Sequence, residues 1–89
     1  MVDNYDIALA ERLQLMANGM CNSAVFSNRL YGRNFISRHE AISVIREEFE
    51  EAWDEVKKNG SKERLLSELE QLGAMVILFA SLVEDGVID

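Results

Sequence analysis

At 89 residues with no proline and one cysteine, the chain has room for one small domain whose hydrophobic core is marginal on its own. A lone thiol excludes an internal disulfide and any cysteine-pair metal site. Nine basic against sixteen acidic residues give a net charge of −7, which argues against a nucleic-acid backbone or an anionic membrane as partner and suits a protein that gathers cations or simply stays in solution. Hydrophobic residues make up 48% of the chain, and with proline absent this favours continuous helices, so the expected fold class is all-α in a single domain, 1–89. The start, MVDNYD, is acidic where a secretory leader is basic and then apolar. The longest apolar run, 73–82, is about half of what a membrane span needs. A cytoplasmic protein is the expectation.

In chain order, Asp3 or Asn4 is placed to cap a first helix running to about Met20, with Leu9, Leu13, Met16 and Met20 as one stripe. Gly19, Cys21 and Asn22 weaken the pattern, so that helix is expected to end there and residues 23–31 to form a short second one, stopped by Gly32. A loop follows over 32–36, with Phe35 and Ile36 positioned to staple the next helix. That central helix spans Ser37 to Lys58 and opens on a capping box, Ser37 with Glu40 three residues on. Ile42, Ile45, Phe49, Ala52, Trp53 and Val56 recur at helical spacing as its expected core stripe. Asn59 and Gly60 end it, with Gly60 expected as the left-handed cap residue, and Ser61 caps a last helix from about Lys62 to about Glu84. So short a link predicts an antiparallel hairpin.

The last helix carries two stripes. Leu65, Leu69, Leu72, Val76, Ala80 and Val83 form the main one; Glu68, Gln71, Met75, Leu78 and Leu82 lie on another face. A helix apolar on most sides needs neighbours all round. The second stripe therefore predicts either packing by segment 23–31 or a partner copy, giving a homodimer or a dimer of dimers. Glu68 and Gln71 should be at least partly buried with it.

The chemistry concentrates in Glu47, Glu48, Glu50 and Glu51. At about 100° per residue, Glu48 lies roughly 85° and Glu51 roughly 145° from the centre of the apolar stripe, on a face shared with Val44 and Glu55. Folding the hairpin about Gly60 sets Glu51 opposite Glu68, and Glu48 opposite Gln71 one turn further on. Three carboxylates and an amide oxygen, offered in i, i+3 pairs from two helices, suit Mg²⁺ or Mn²⁺. The spacing also admits a charge-rich rim satisfied by Arg46, Lys57 and Arg64. Trp53 and Phe49 read as core packing in preference to a stacking platform.

The run EEFEE (Glu47 to Glu51), followed about twenty residues on by Glu68-Leu69-Glu70-Gln71, resembles the paired EExxE and ExxD motifs of MazG-like nucleoside triphosphate pyrophosphohydrolases, an all-α superfamily that includes the dimeric dUTPases. The likeness is clearest over 37–83, and the HEA at His39 to Ala41 and EQLGAM at Glu70 to Met75 are similar to phage-type members. The resemblance implies a four-helix-type core completed by oligomerisation, with Mg²⁺ held by the acids of both motifs. It also implies hydrolysis of a nucleoside triphosphate to the monophosphate and pyrophosphate. By position, Glu48, Glu51 and Glu68 correspond to metal ligands, and Glu47 to a group that orients the attacking water or binds a second metal. Gln71 stands where the pattern has Asp, so it can ligate but brings no charge. Arg38, Lys57 and Arg64, with Lys58, are the candidates to hold the distal phosphates. The alternative is a non-catalytic helical oligomer of the same fold with a degenerate metal site.

Overall fold

Each helix begins where a short polar side chain can accept one of the unpaired amide hydrogens of a helix start. In the computed structural model, which describes residues 3–31 and 35–88, Asp3 Oδ1 accepts from the Asp6 amide at 2.9 Å and opens α1, Asn4–Tyr31. Ser37 Oγ accepts from the Glu40 amide at 3.1 Å and opens α2, Arg38–Lys57. Glu40 Oε1 returns the bond to the amide of Ile36 at 3.0 Å, one residue earlier than a strict capping box would place it. Ser61 Oγ accepts from the Arg64 amide at 3.2 Å and opens α3, Lys62–Glu84. The described residues are helical apart from these joints and the tail 85–88, and contain no strand.

The first helix is continuous. The break expected near Gly19–Asn22 and the separate short helix over 23–31 do not occur: α1 runs through to Tyr31. A helical glycine costs only about 1 kcal/mol against alanine, and here it makes room for a neighbour. A Cβ on Gly19 would stand 2.8 Å from Glu70 Oε2 of α3. One turn on, Ser23 Oγ donates to Glu70 Oε1 at 2.5 Å, and Ala24 joins Ala74 and Met75 in the buried core. Of the expected loop, 32–34 lie outside the described residues. Phe35 packs against the core, whereas Ile36 is exposed and staples nothing.

Both later helix ends close in the same way. The Gly60 amide donates to the Glu55 carbonyl (2.8 Å) and the Asn59 amide to Val56 (3.3 Å), a Schellman turn. The residue with positive φ is Asn59, at 50°, not Gly60 as expected. Gly60 is needed for space, because the Glu55 carboxylate occupies the position a Cβ would take there. At the end of α3 the amides of Gly86 and Val87 bond the carbonyls of Val83 and Leu82 at 3.1 and 3.0 Å. Gly86 takes φ 73°.

α2 returns along α3 as the expected hairpin, and α3 also packs on α1, while α1 and α2 make no close approach to each other. The result is one layer of three helices, 42 × 37 × 20 Å, with α3 in the middle. Its radius of gyration, 14.8 Å, exceeds the roughly 12 Å of a compact chain this long. By length and composition α3 is apolar enough to cross a membrane, a property the ten-residue run had concealed; in this fold it is the shared neighbour of the other two helices.

The buried face of α2 is rotated relative to the sequence reading: of the expected stripe, Ala52 is buried and Ile45 half-buried as expected, and the other four residues are not. Ala41, Ala52 and Glu55 are buried and Val44, Ile45 and Glu48 half-buried, so the face with small residues and acids meets α3. Ile42, Phe49, Trp53 and Val56, expected as core, are 49 to 55% exposed. Alanines permit two helix backbones to approach closely, and Ala41 and Ala74 are both fully buried. The bulky residues are thereby turned about 90° away. On α3 the second stripe is the more buried one, packed by segment 23–31 as one of the two expectations had it, with Leu65 and Leu72 of the main stripe half-buried. Met75 and Leu82 are buried and Leu78 packs on the Ala24 cluster, with Glu68 and Gln71 half-buried as expected. Leu69, Val76 and Val83 of the expected main stripe are exposed.

Candidate metal centre

The hairpin brings Glu48, Glu51 and Glu68 together. One carboxylate oxygen from each lies within 4.8 Å of the others. Glu48 and Glu68 are half-buried and Glu51 is exposed. This follows from the helical spacing: Glu48 and Glu51 are one turn apart on α2, and antiparallel return sets Glu68 beside them.

Three carboxylates this close repel one another, and the cost falls on the most enclosed. Burial, then the charges of Glu51, Glu68 and Glu47, push the Glu48 carboxyl up to about 7. Glu68 is also raised, by burial and by its contact with Glu51, with Lys58 opposing the shift. Glu48 Oε2 is buried without a hydrogen-bond partner among the described residues. An orphaned carboxylate oxygen beside two more carboxylates is a donor set that a small divalent cation satisfies: oxygen ligands, high negative charge, and one open side for water. The residues present therefore fit Mg²⁺ or Mn²⁺.

Beside the cluster lies a cavity of about 480 Å³, into which Glu47, Glu48 and Gln71 all project. Its apolar wall is Phe35, Val44, Met75 and Leu78, and α1 contributes Ser27 and Asn28. Gln71 thus stands by Glu48, on the same cavity, as an uncharged neighbour of the three acids. Arg38, Lys57 and Arg64 are exposed and lie outside the cavity lining; Lys57 Nζ is 3.3 Å from Asp54.

Ser27 and Asn28 escape a reading by motif, whereas Glu55 already stood on the expected acidic face and Lys58 among the expected cations. Ser27 and Asn28 lie in the stretch where the sequence pattern suggested a separate helix, and Asn28 Oδ1 is buried without a partner among the described residues. Glu55 is buried beneath the hairpin turn and pairs with Lys58 at 2.9 Å. Lys58, not Lys57, is the cation whose field reaches Glu68. The burial of Glu55 has a sequence correlate in its i+4 spacing from Glu51 on the face that meets α3. Compared with family models, curated proteins and solved structures, the chain matches none.

Proposed function

We propose that Glu48, Glu51 and Glu68, with the amide oxygen of Gln71, hold Mg²⁺ or Mn²⁺, and that the protein hydrolyses nucleoside triphosphates to the monophosphate and pyrophosphate. The observation that carries the reading is the convergence of three carboxylates within 4.8 Å, one with an orphaned buried oxygen. Such a group is costly unless a cation or proton answers it. The paired acidic motifs resembling those of MazG-like pyrophosphohydrolases point the same way.

When bound, the divalent ion supplies charge neutralisation for the triphosphate and polarises its α-phosphate. The chain's own groups do the rest. Glu47, on the same cavity as Glu48, orients a water and accepts its proton as the oxygen attacks the α-phosphorus. The bond to the β-phosphate oxygen then breaks, and pyrophosphate leaves with that electron pair. Phe35, Val44, Met75 and Leu78 make an apolar wall and Ser27 and Asn28 offer a hydroxyl and an amide, a combination suited to a nucleoside in a cavity of ligand size. Lys58, whose charge acts on Glu68, is a candidate to hold a distal phosphate, with Arg38, Lys57 and Arg64.

A second reading is a non-catalytic relative of the same fold. What favours it is Gln71, which faces the cavity without adding charge and so weakens cation affinity. One experiment separates the two: canonical and damaged triphosphates incubated with Mg²⁺ and scored for pyrophosphate. Release lost in Glu47→Gln supports the enzyme. Metal-dependent stabilisation without release across the panel supports the second reading, and neither effect removes the metal site altogether.

A further inference from the structure

Another cavity, of about 500 Å³, lies between α1 and α3. Cys21, Ala24, Val25 and Asn28 line it from one face of α1, with Arg29 beside them. Ile77, Leu78 and Ser81 line it from α3. Ala24 is buried and short, and it leaves a hollow that the exposed Val25 and Ile77 do not fill. The polar groups are a guanidinium, an amide, a hydroxyl and a thiol, all able to donate hydrogen bonds, and the one full charge among them is positive. No carboxylate lines the cavity, in a chain where acids outnumber bases sixteen to nine. Among the described residues Arg29 has no ion-pair partner and Asn28 Oδ1, though buried, accepts no hydrogen bond. Both side chains thus have bonding capacity that the chain itself leaves unused.

We propose that this cavity binds a soluble organic anion, a carboxylate carried on an apolar body of medium chain length. The volume is that of a small-molecule site, and so is the lining, apolar walls with a few polar groups at one side. The apolar body lies along Ala24, Val25, Ile77 and Leu78, where each buried CH₂ favours binding. The carboxylate accepts from the Arg29 guanidinium and the Ser81 hydroxyl, charge-assisted bonds that a neutral ligand forgoes. The Asn28 amide has a soft final torsion, so it turns to offer its N–H₂ to the same anion. An organic cation is repelled by Arg29, and a sugar finds too few partners on the apolar walls. An anionic membrane is a poorer source of the same chemistry, since it repels a chain of net charge −7. Asn28 and Leu78 also line the cavity beside the carboxylates, but the inference does not rest on the metal reading.

Cys21, the single thiol, is exposed and stands in the lining, so it reports on this cavity alone. Decanoate, kept below the concentration at which it forms micelles, should slow alkylation of Cys21 by neutral iodoacetamide at least fivefold in the full chain. It should also raise Tm, as any ligand of the folded state does. Decanoate should bind about fifteenfold more tightly than octanoate, at about fourfold for each added CH₂. Decyltrimethylammonium at equal concentration should leave the alkylation rate unchanged. Arg29→Gln should weaken decanoate binding at least fivefold and Arg29→Lys less; the comparison of anion with cation on the unaltered chain keeps the test independent of how those variants fold. The emission of Trp53, the only tryptophan and one that lies on α2 away from this lining, should stay constant through the titration. An unchanged Cys21 rate overturns the proposal, and so does equal protection by the cation or full protection in Arg29→Gln. A Trp53 response with the same dose dependence overturns it as general adsorption to apolar surface. Protection that arises only with anionic vesicles, or on concentrating the protein without decanoate, overturns it in favour of a membrane or another copy of the chain.

Discussion

Replacing Glu51 by Gln removes one charge from the carboxylate cluster and keeps its shape. In the metal-free protein, Glu51 acts on Glu48 and Glu68 across at most 4.8 Å. At that distance a pair of unit charges repels by about 1 kcal/mol in a water-like dielectric and by about 3.5 kcal/mol at an effective constant of 20. Glu51 is exposed, so the lower figure applies, and Glu48 is only partly ionised at neutral pH because its carboxyl titrates at about 7. The net expectation is a metal-free variant more stable by about 1 kcal/mol, which for a domain this small raises Tm by about 4–8 °C. With divalent metal the order reverses. A cation at a hundred times its Kd stabilises the parent by about 2.7 kcal/mol, and the variant, one ligand short, should gain little. Thermal melts followed by circular dichroism at pH 7.5, with chelator or with Mg²⁺ against matched ionic strength, measure both terms. A metal-free variant less stable by more than about 1 kcal/mol would mean that Glu51 is a structural hydrogen-bond member. Equal Mg²⁺ increments in both proteins would remove it from the metal site.

Gln71→Asp should tighten Mg²⁺ binding by about tenfold in calorimetric titration and lower metal-free stability, a pair of opposite signs that a solvated position cannot produce; unchanged affinity would place residue 71 away from the ion. Because Glu48 holds its proton more tightly in the fold than in the unfolded chain, its contribution to metal-free stability should be fully present below about pH 4.5 and be lost as pH rises through about 7. Urea unfolding at pH 5 and pH 8 tests this, and a smaller difference between the two midpoints in Glu48→Gln than in the parent isolates the contribution, Glu68 supplying part of what remains. Ser23→Ala deletes the hydroxyl that donates to Glu70 at 2.5 Å and should cost about 1.5 kcal/mol in the same measurement, the low end for a hydrogen bond to a carboxylate because the pair is only part-buried. Leu78→Asp should destabilise the single chain, since Leu78 packs against the buried Ala24 cluster, and should do so at concentrations where no dimer forms.

Capping chemistry made the helix starts legible, because Asp3, Ser37 and Ser61 act locally and the sequence contains everything they touch. The carboxylate cluster was legible for a related reason: a short turn at 58–61 fixes the register of the hairpin, and register alone sets Glu51 near Glu68. The burial faces were not. Periodicity locates the bulky apolar residues of α2 but not the side on which α3 lies, and packing through Ala41 and Ala52 chose the face with the least apolar bulk. The continuity of α1 was hidden by the same blindness to tertiary context. Gly19 reads as a break until Glu70 is seen filling its place. Ser27 and Asn28 then belong to the cavity only because that helix does not stop.

The position of α3 as sole neighbour of both other helices makes the molecule divisible in time. The α2–α3 hairpin needs only contacts short in sequence, so it closes early and at small entropic cost. α1 joins across a longer span, through the crossing that includes Gly19, Ser23 and Ala24, and with its half 4–18 exposed it is the element expected to open as a unit. The three carboxylates all ride on the hairpin, whereas Ser27 and Asn28 travel with α1. Opening of α1 thus strips one wall from the cavity while leaving the acids in register. On the proposed function, a cation would be retained through such excursions while a bulky organic ligand enters or leaves.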